Sequence, residues 1–478
     1  MDSTKQQPAQ FIVRDALVVT MDEERNVFES GYVWVKDGLI HEVGDSASLR
    51  DLPSEVKVTS ARGRLIMPGL INAHGHLSNG ILRGIYDEMP LSVWFSKGMW
   101  PVLEALDREG GRIGAELALL EQMTTGVTTT VSAEFGVPSR ELPDGVLEAI
   151  TKSGARAVVS RMTVDSADSA DASQAVPARY RERPQDAVAE VERLQRTWNS
   201  ELISVGAEAL GVLRCTPAMI EAMHDVALRT RSHFLMHVAS SREEHEDTLR
   251  QFGHGSVAEL DRLGVLGPST LLAHTIWLSD EEIAQLARSQ TGVSHNPVAN
   301  AYYASGIARL AELIDAGVRV GLGVDGASTN NAQNVWETMK MALLFQKERR
   351  ADAGFGSAEL ALELMTRGGA AALHMEDRIG SLESGKQADF IVIDTARVAL
   401  APAQTIISNL VYSNDPYAVR DVYVAGRAVV IDGEHQLIDR EETLAQAREA
   451  LERVLVRSGL KSYLATRGKW RWRGAMTA

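Results

Sequence analysis

The sequence predicts an α/β chain, a (β/α)8 barrel that carries a small discontinuous β-sandwich built from both chain ends. Three observations predict it. Apolar β-branched runs alternate with amphipathic helical stretches through the middle of the chain, and short strands with tight turns occupy both ends. Ile71-Asn72-Ala73-His74-Gly75-His76 follows directly on the apolar run Leu65-Ile66-Met67-Pro68-Gly69-Leu70, where polar chemistry would sit at a strand end.

The amino-terminal strands come first. Phe11-Ile12-Val13, Ala16 to Thr20, Tyr32 to Val35 and Leu39 to Val43 are short apolar runs, and Lys36-Asp37-Gly38 between the last two is a hairpin signal. These strands are too few to close a sandwich alone. The missing ones are expected near the other end, at Gly385 to Asp394 and Val419 to Val430, with Ala425-Gly426-Arg427 as a turn. Residues 1–65 and 380–440 are therefore read as one composite β domain.

Residues 66–379 are read as the barrel. The strands expected after the one before His74 are Val127 to Val131, Ala155 to Val159, Leu202 to Ala207, Phe234 to Val238, Leu271 to His274, Gly292 to His295 and Val318 to Val324. Helical stretches such as Glu109 to Met123 and Pro217 to Arg229 lie between them. Near-continuous apolar strands alternating with helices are the mark of parallel strands buried on both faces, and about eight of them close a barrel. Residues 441–478 are read as a charged helix and a tail ending in Lys469-Trp470-Arg471-Trp472-Arg473-Gly474. That tail is expected to pack on its own or a neighbouring subunit.

Successive strand side chains alternate in direction, so His74 and His76 point the same way, a geometry for two ligands on one metal ion. Taken alone the pair could equally be two surface histidines. His237, His274 and Asp325 each close a predicted barrel strand, at the face where such barrels keep their active sites. A lone buried His is more often a hydrogen-bonded core residue, and a lone strand-end Asp a helix cap. Their common register on separate strands argues against coincidence.

A chain of 478 residues can bury a large core, and its 45% hydrophobic and 24% charged content is that of a globular protein. The net charge of −15 argues against nucleic acid or an anionic membrane as the main partner and favours a small-molecule substrate. Cys215 is the single cysteine, which excludes an intrachain disulfide and a cysteine-rich zinc site; any metal must be held by histidine and carboxylate. Met1 to Pro8 is polar and lacks the apolar core of a signal peptide, so a cytoplasmic protein is expected, forming a homo-oligomer.

Taken together, several stretches resemble the amidohydrolase superfamily, and within it the group of triazine hydrolases and heterocycle or nucleoside deaminases. They are Pro68 to His76, Leu82-Arg83-Gly84-Ile85, Gly126 to Thr130, His237-Val238-Ala239, Leu272-Ala273-His274, Ser294-His295-Asn296-Pro297 and Gly321 to Asn331. The resemblance runs from about Phe11 to about Gly433. It implies one divalent metal ion, zinc ahead of iron, cobalt or manganese. His74, His76, His237 and Asp325 resemble the metal ligands, and His274 the histidine that hydrogen-bonds the attacking water or the substrate. A metal held by three imidazoles and a carboxylate can activate water as hydroxide, and Asp325 could carry the water's proton to a leaving nitrogen.

The pattern departs at Ser240. Deaminases of this group carry Glu where His237-Val238-Ala239 is followed here by Ser240, which has no useful acid or base at neutral pH. Glu134 is the preferred substitute as proton carrier, with Glu243 and Glu244 as alternatives that could equally be solvated members of a charge run. Val93 and Leu210 stand where nucleoside-deaminating relatives place polar groups for the sugar. Met89, Trp94, Met99, Trp100, Tyr302 and Tyr303 are possible pocket walls, or else core and subunit-contact residues. The expected activity is therefore metal-dependent hydrolysis of a C–N bond in a small urea, carbamate or amide-type compound. Deamination of an aromatic N-heterocycle of the triazine, purine or pterin kind is the alternative. A nucleoside deaminase and a non-catalytic relative rank behind both.

Overall fold

The computed structural model describes residues 10–50, 52–87, 94–166 and 176–466. Met1 to Pro8, Met89, Val93 and the tail from Lys469 to Gly474 lie outside the described residues. Among the described residues no helix is long and apolar enough to cross a membrane.

The amino-terminal segment forms β1 (Gln10–Val19), β2 (Val27–Lys36), β3 (Leu39–Asp45), β4 (Lys57–Ser60) and β5 (Arg64–Pro68). The two runs expected at Phe11 and Ala16 are one strand, broken in register at Asp15, whose φ of 64° makes a bulge. Between β2 and β3, Asp37 (φ 51°) and Gly38 (φ 80°) form the two-residue turn that Lys-Asp-Gly predicts. A side chain at Gly38 would also meet the Ala425 carbonyl at 2.9 Å, so this turn packs against one from the other end of the chain.

The barrel strands follow. They are β6 (Leu70–Asn72), the two-residue β7 (Gly75–His76), β8 (Val127–Phe135), β9 (Arg156–Thr163), β10 (Ile203–Ala209), β11 (Phe234–Val238), β12 (Thr270–His274), β13 (Gly292–His295), β14 (Arg319–Leu322) and the two-residue β15 (Asp325–Gly326). Eight of these form one parallel sheet in the order β14-β13-β12-β11-β10-β9-β8-β6. The Ala73 N–H donates to the Leu322 carbonyl (2.9 Å) and draws the two ends of that sheet together. The single run expected from Val318 to Val324 ends at Leu322, and β15 then pairs with β7. The intervening Gly323 is required there: a Cβ would lie 2.9 Å from the His74 nitrogen and closer still to Ser294 and Asn296.

The chain closes with β16 (Phe390–Asp394), β17 (Val419–Val424), β18 (Arg427–Ile431) and β19 (Glu434–His435). β16 lies antiparallel to β5, Phe390 opposite Pro68, so both chain ends share one nine-stranded mixed sheet. A separate apolar core beneath it contains Phe11, Val33, Ile66, Leu382 and Phe390. The helix Arg440–Ser458 follows, capped by the Asp439 side chain and stopped by Gly459 at φ 74°.

Candidate active site and metal centre

His74, His76, His237, His274 and Asp325 lie at or just beyond the carboxyl ends of barrel strands. Asp325 and His76 are brought together by the β7–β15 pair, in which Asp325 opposes Gly75 and Gly326 opposes His76. The Asp325 N–H also donates to the His74 carbonyl (3.0 Å). His237 and His274 end neighbouring strands, with Val238 opposite His274. Four non-glycine residues at these strand ends have left-handed backbones: Ala239 (φ 48°), His274 (73°), Thr275 (45°) and Asp325 (63°). Each such residue costs of order 1 kcal/mol or more, and such strain clusters where side chains must be aimed.

The aimed atoms converge. Asp325 Oδ1 lies 3.6 Å from His74 Nε2 and 3.4 Å from His76 Nε2, and Oδ2 lies 3.8 Å from His274 Nε2. His237 Nε2 is 3.4 Å from His76 Nε2. His74, His76 and His237 form one group able to hold a metal ion, and His74, His274 and Asp325 another; within each, the ligand atoms lie within 4.8 Å of one another. The fit to a divalent metal is supported by an orphan: His74 Nε2 is buried and has no hydrogen-bond partner among the described residues. Imidazole and carboxylate are the donors such an ion takes.

Behind these rings stands a shell that fixes their direction. Glu208 Oε1 lies 3.0 Å from His237 Nδ1, and Ser160 Oγ donates to the other Glu208 oxygen. His76 Nδ1 meets the Ala133 carbonyl at 2.7 Å. His274 Nδ1 is 2.9 Å from Asn300 Oδ1 and 3.4 Å from Asn296 Nδ2; the shorter contact governs, so Nδ1 carries the proton. Each ring thus turns its Nε2 inward, as metal-facing histidines do. Burial and the neighbouring imidazoles hold the His74 pKa well below its usual value, and burial lowers that of His274. Burial also disfavours a charged His237, but the carboxylates of Glu208, Asp325 and Glu244 together outweigh it and the pKa is raised.

The pocket beside these rings has a volume of about 220 Å³ and is lined by His76, His237, His274 and Asp325. Its apolar walls are Trp94, Phe95, Met99, Phe135, Met162, Leu210, Leu213 and Tyr303, with Arg214, Ser240, Glu243 and Glu244 as polar members. Trp94, Met99, Tyr303 and Leu210 therefore lie where the sequence predicts, whereas Trp100 and Tyr302 are not among the lining residues. Tyr302 bonds Asp87 instead.

Glu134, expected as the proton carrier, does not line the pocket. It is buried, and one of its oxygens accepts from Ser132 Oγ (2.6 Å) and the Ser78 N–H (3.2 Å). Burial raises its pKa. It lies near the end of β8, and the two serine bonds turn it into the barrel wall. Glu208, Asn296 and Asn300 were not singled out as site residues. Glu208 ends a predicted strand just as His237 does, and that signal could have found it.

The Amidohydrolase family model matches residues 65–429. A 5-methylthioadenosine/S-adenosylhomocysteine deaminase from Desulforamulus reducens is 31% identical over 446 residues, covering 93% of this chain and 98% of the relative. One from Bacillus cytotoxicus is 32% identical over 434 residues, covering 91% and 97%. Among solved structures, an adenosine deaminase from Xanthomonas campestris with bound zinc superposes with a TM-score of 0.86 at 28% identity, covering 94% of this chain and 99% of that one. The atrazine chlorohydrolase of Arthrobacter aurescens, with zinc, shares the fold at a TM-score of 0.83 and 23% identity, covering 92% and 100%. With this extent of match and a histidine–carboxylate cluster at the barrel mouth, the chain belongs to the amidohydrolase family, and it is a metal-dependent hydrolase of carbon–nitrogen bonds other than peptide bonds.

Proposed function

We propose that the protein is an aminohydrolase that replaces the amino group of an aromatic N-heterocycle by oxygen and releases ammonia. The observation that carries this reading is the kinship, over nine-tenths of the chain, to deaminases of adenine-type rings, together with a pocket whose walls suit a flat ring. It replaces urea or carbamate cleavage as the leading reading, because neither the relatives nor the pocket favours an open-chain substrate. Deamination of a nucleoside is the second reading, favoured by the 31–32% identity to 5-methylthioadenosine/S-adenosylhomocysteine deaminases. Against the sugar stands Leu210, an apolar wall where a ribose would need hydrogen-bonding groups.

In this reading His74, His76, His237 and Asp325 hold one divalent metal, zinc by preference, which supplies Lewis acidity and a nucleophile from water. The chain's own groups do the rest. Asp325 faces the histidines with one oxygen and His274 with the other, so its free oxygen can take a proton from the attacking water and pass it to the departing amine. His274 is neutral with its proton on Nδ1, so Nε2 accepts a hydrogen bond and orients the water or the amine. The aromatic and aliphatic walls exclude bulk water around the ring.

The test is product analysis with aminotriazines, aminopurines, aminopterins, methylthioadenosine, aryl ureas and carbamates. Ammonia from an aminated ring supports the reading; aniline-type amines from ureas alone would overturn it. Two variants check the roles of the surrounding groups. Glu208→Gln is expected to weaken metal affinity by about 10–100-fold, read by competition with a chromophoric chelator. Glu134→Gln keeps a hydrogen-bond acceptor for Ser132 and Ser78 and is expected to change kcat by less than about tenfold, since the carboxylate does not reach the pocket.

A further inference from the structure

Ser240 leaves the position beside the reacting ring without an acid or base of its own, yet a carboxylate arrives there from the next helix. The helix Arg242–Phe252 starts at Ser241, whose side chain accepts the Glu244 N–H. A Glu at this position of a capping box ordinarily reaches back to the backbone of the capping residue itself. Glu244 instead reaches further back. Oε1 accepts from the Ala239 N–H (3.1 Å), Oε2 from the Ser240 N–H (3.0 Å), and the Ser240 hydroxyl also donates to Oε2. Ala239 has the left-handed backbone noted above, which turns these N–H groups toward Glu244. Ser240 and Glu244 both line the pocket with His237, His274 and Asp325.

We propose that Glu244 is a catalytic residue, the proton carrier to the ring nitrogen of the substrate, brought to the pocket from the helix because residue 240 cannot serve. The inference rests on the aminohydrolase reading above. Three donors fix the plane of the carboxylate and fill three of its roughly four lone-pair sites, which leaves one on Oε1. Its negative charge favours the charged forms of His237, His274 and Arg214, although burial still leaves the pKa values of His274 and Arg214 below their usual ones. Arg214, stacked 4.1 Å over Phe95, and Glu243 are the other charged groups on this side of the pocket.

The proton count closes with this assignment. Water adds its oxygen to the amine-bearing carbon as the carbon–nitrogen bond to the amine breaks. One water proton passes through Asp325 to the amine, which leaves as ammonia; the other passes through Glu244 to the adjacent ring nitrogen, where it remains in the lactam product.

The test uses the metal-loaded full-length protein. Glu244→Gln keeps the acceptor geometry of the helix start, so melting temperature and metal content should stay at wild-type values while kcat for ammonia release falls by about 100-fold or more. The double variant Ser240→Glu/Glu244→Gln returns a carboxylate from residue 240 and should recover at least about tenfold of that loss, which no helix-capping role predicts. Ammonia release within about threefold of wild type in Glu244→Gln, or no recovery in the double variant, would overturn the role of Glu244 alone. A wild-type protein that cleaves only ureas or carbamates would overturn the aminohydrolase reading, and the ring-nitrogen role with it.

Discussion

Replacing Asp325 by Asn is expected to lower turnover by about three orders of magnitude at saturating metal, roughly 4 kcal/mol of transition-state stabilisation. The substitution keeps the shape of the side chain and the bond from the Asp325 N–H to His74, so the strand-end geometry should survive. It removes the charge and the basic oxygen that face His74 and His76 on one side and His274 on the other. No second carboxylate lies among these rings in the described residues: Glu208 is held behind His237, and Glu244 is bonded to residues 239 and 240. Steady-state kinetics with the metal content measured in parallel checks the claim. A rate within about tenfold of wild type would remove Asp325 from the proton path.

The second large effect concerns the junction of barrel and end sheet. Arg156 starts β9, and its guanidinium makes a bidentate pair with Asp389, Nε to Oδ2 at 2.8 Å and Nη2 to Oδ1 at 3.1 Å. Both side chains are all but inaccessible, at 2% and 3% exposure. Breaking a buried pair leaves an uncompensated charge, so Arg156→Met is expected to destabilise the fold by about 3–5 kcal/mol, read as a fall in the urea midpoint. Removing both charges in Arg156→Met/Asp389→Leu should recover part of this. Recovery stays incomplete because the Ala425 N–H, which donates to Asp389 at 2.7 Å, loses its acceptor. Equal stability of Arg156→Met and wild type would show that the two sheets hold together without this pair.

The barrel was legible because its strands are buried on both faces and therefore read as unbroken apolar runs, each ending at a polar residue. His74, His76, His237, His274 and Asp325 follow from that pattern alone as strand-end residues, and they do converge. The sheet shared by the chain ends was legible in its parts, since the turns at Asp37-Gly38 and Ala425-Gly426 announce themselves. That β16 would lie against β5 is a long-range pairing that the local pattern leaves open.

What remained hidden was the direction of individual carboxylates. Glu134 and Glu208 both sit near strand ends, but only the positions of Ser132, Ser78 and His237 reveal that one is tied into the wall and the other supports a ring. Glu244 belongs to a run of charges that reads as solvent-facing helix. Its turn back onto Ser240 depends on the left-handed Ala239 and on the cap at Ser241, neither of which has a sequence signature strong enough to predict the contact.

The central claim, metal-dependent deamination of a ring, is tested most directly by stripping the protein with a chelator and titrating metal back while ammonia release from an aminated heterocycle is followed. The account predicts no release from the stripped protein and a rise that saturates at one metal per chain. Ammonia release independent of metal, or saturating metal with no ammonia and only amine products from ureas, would contradict it.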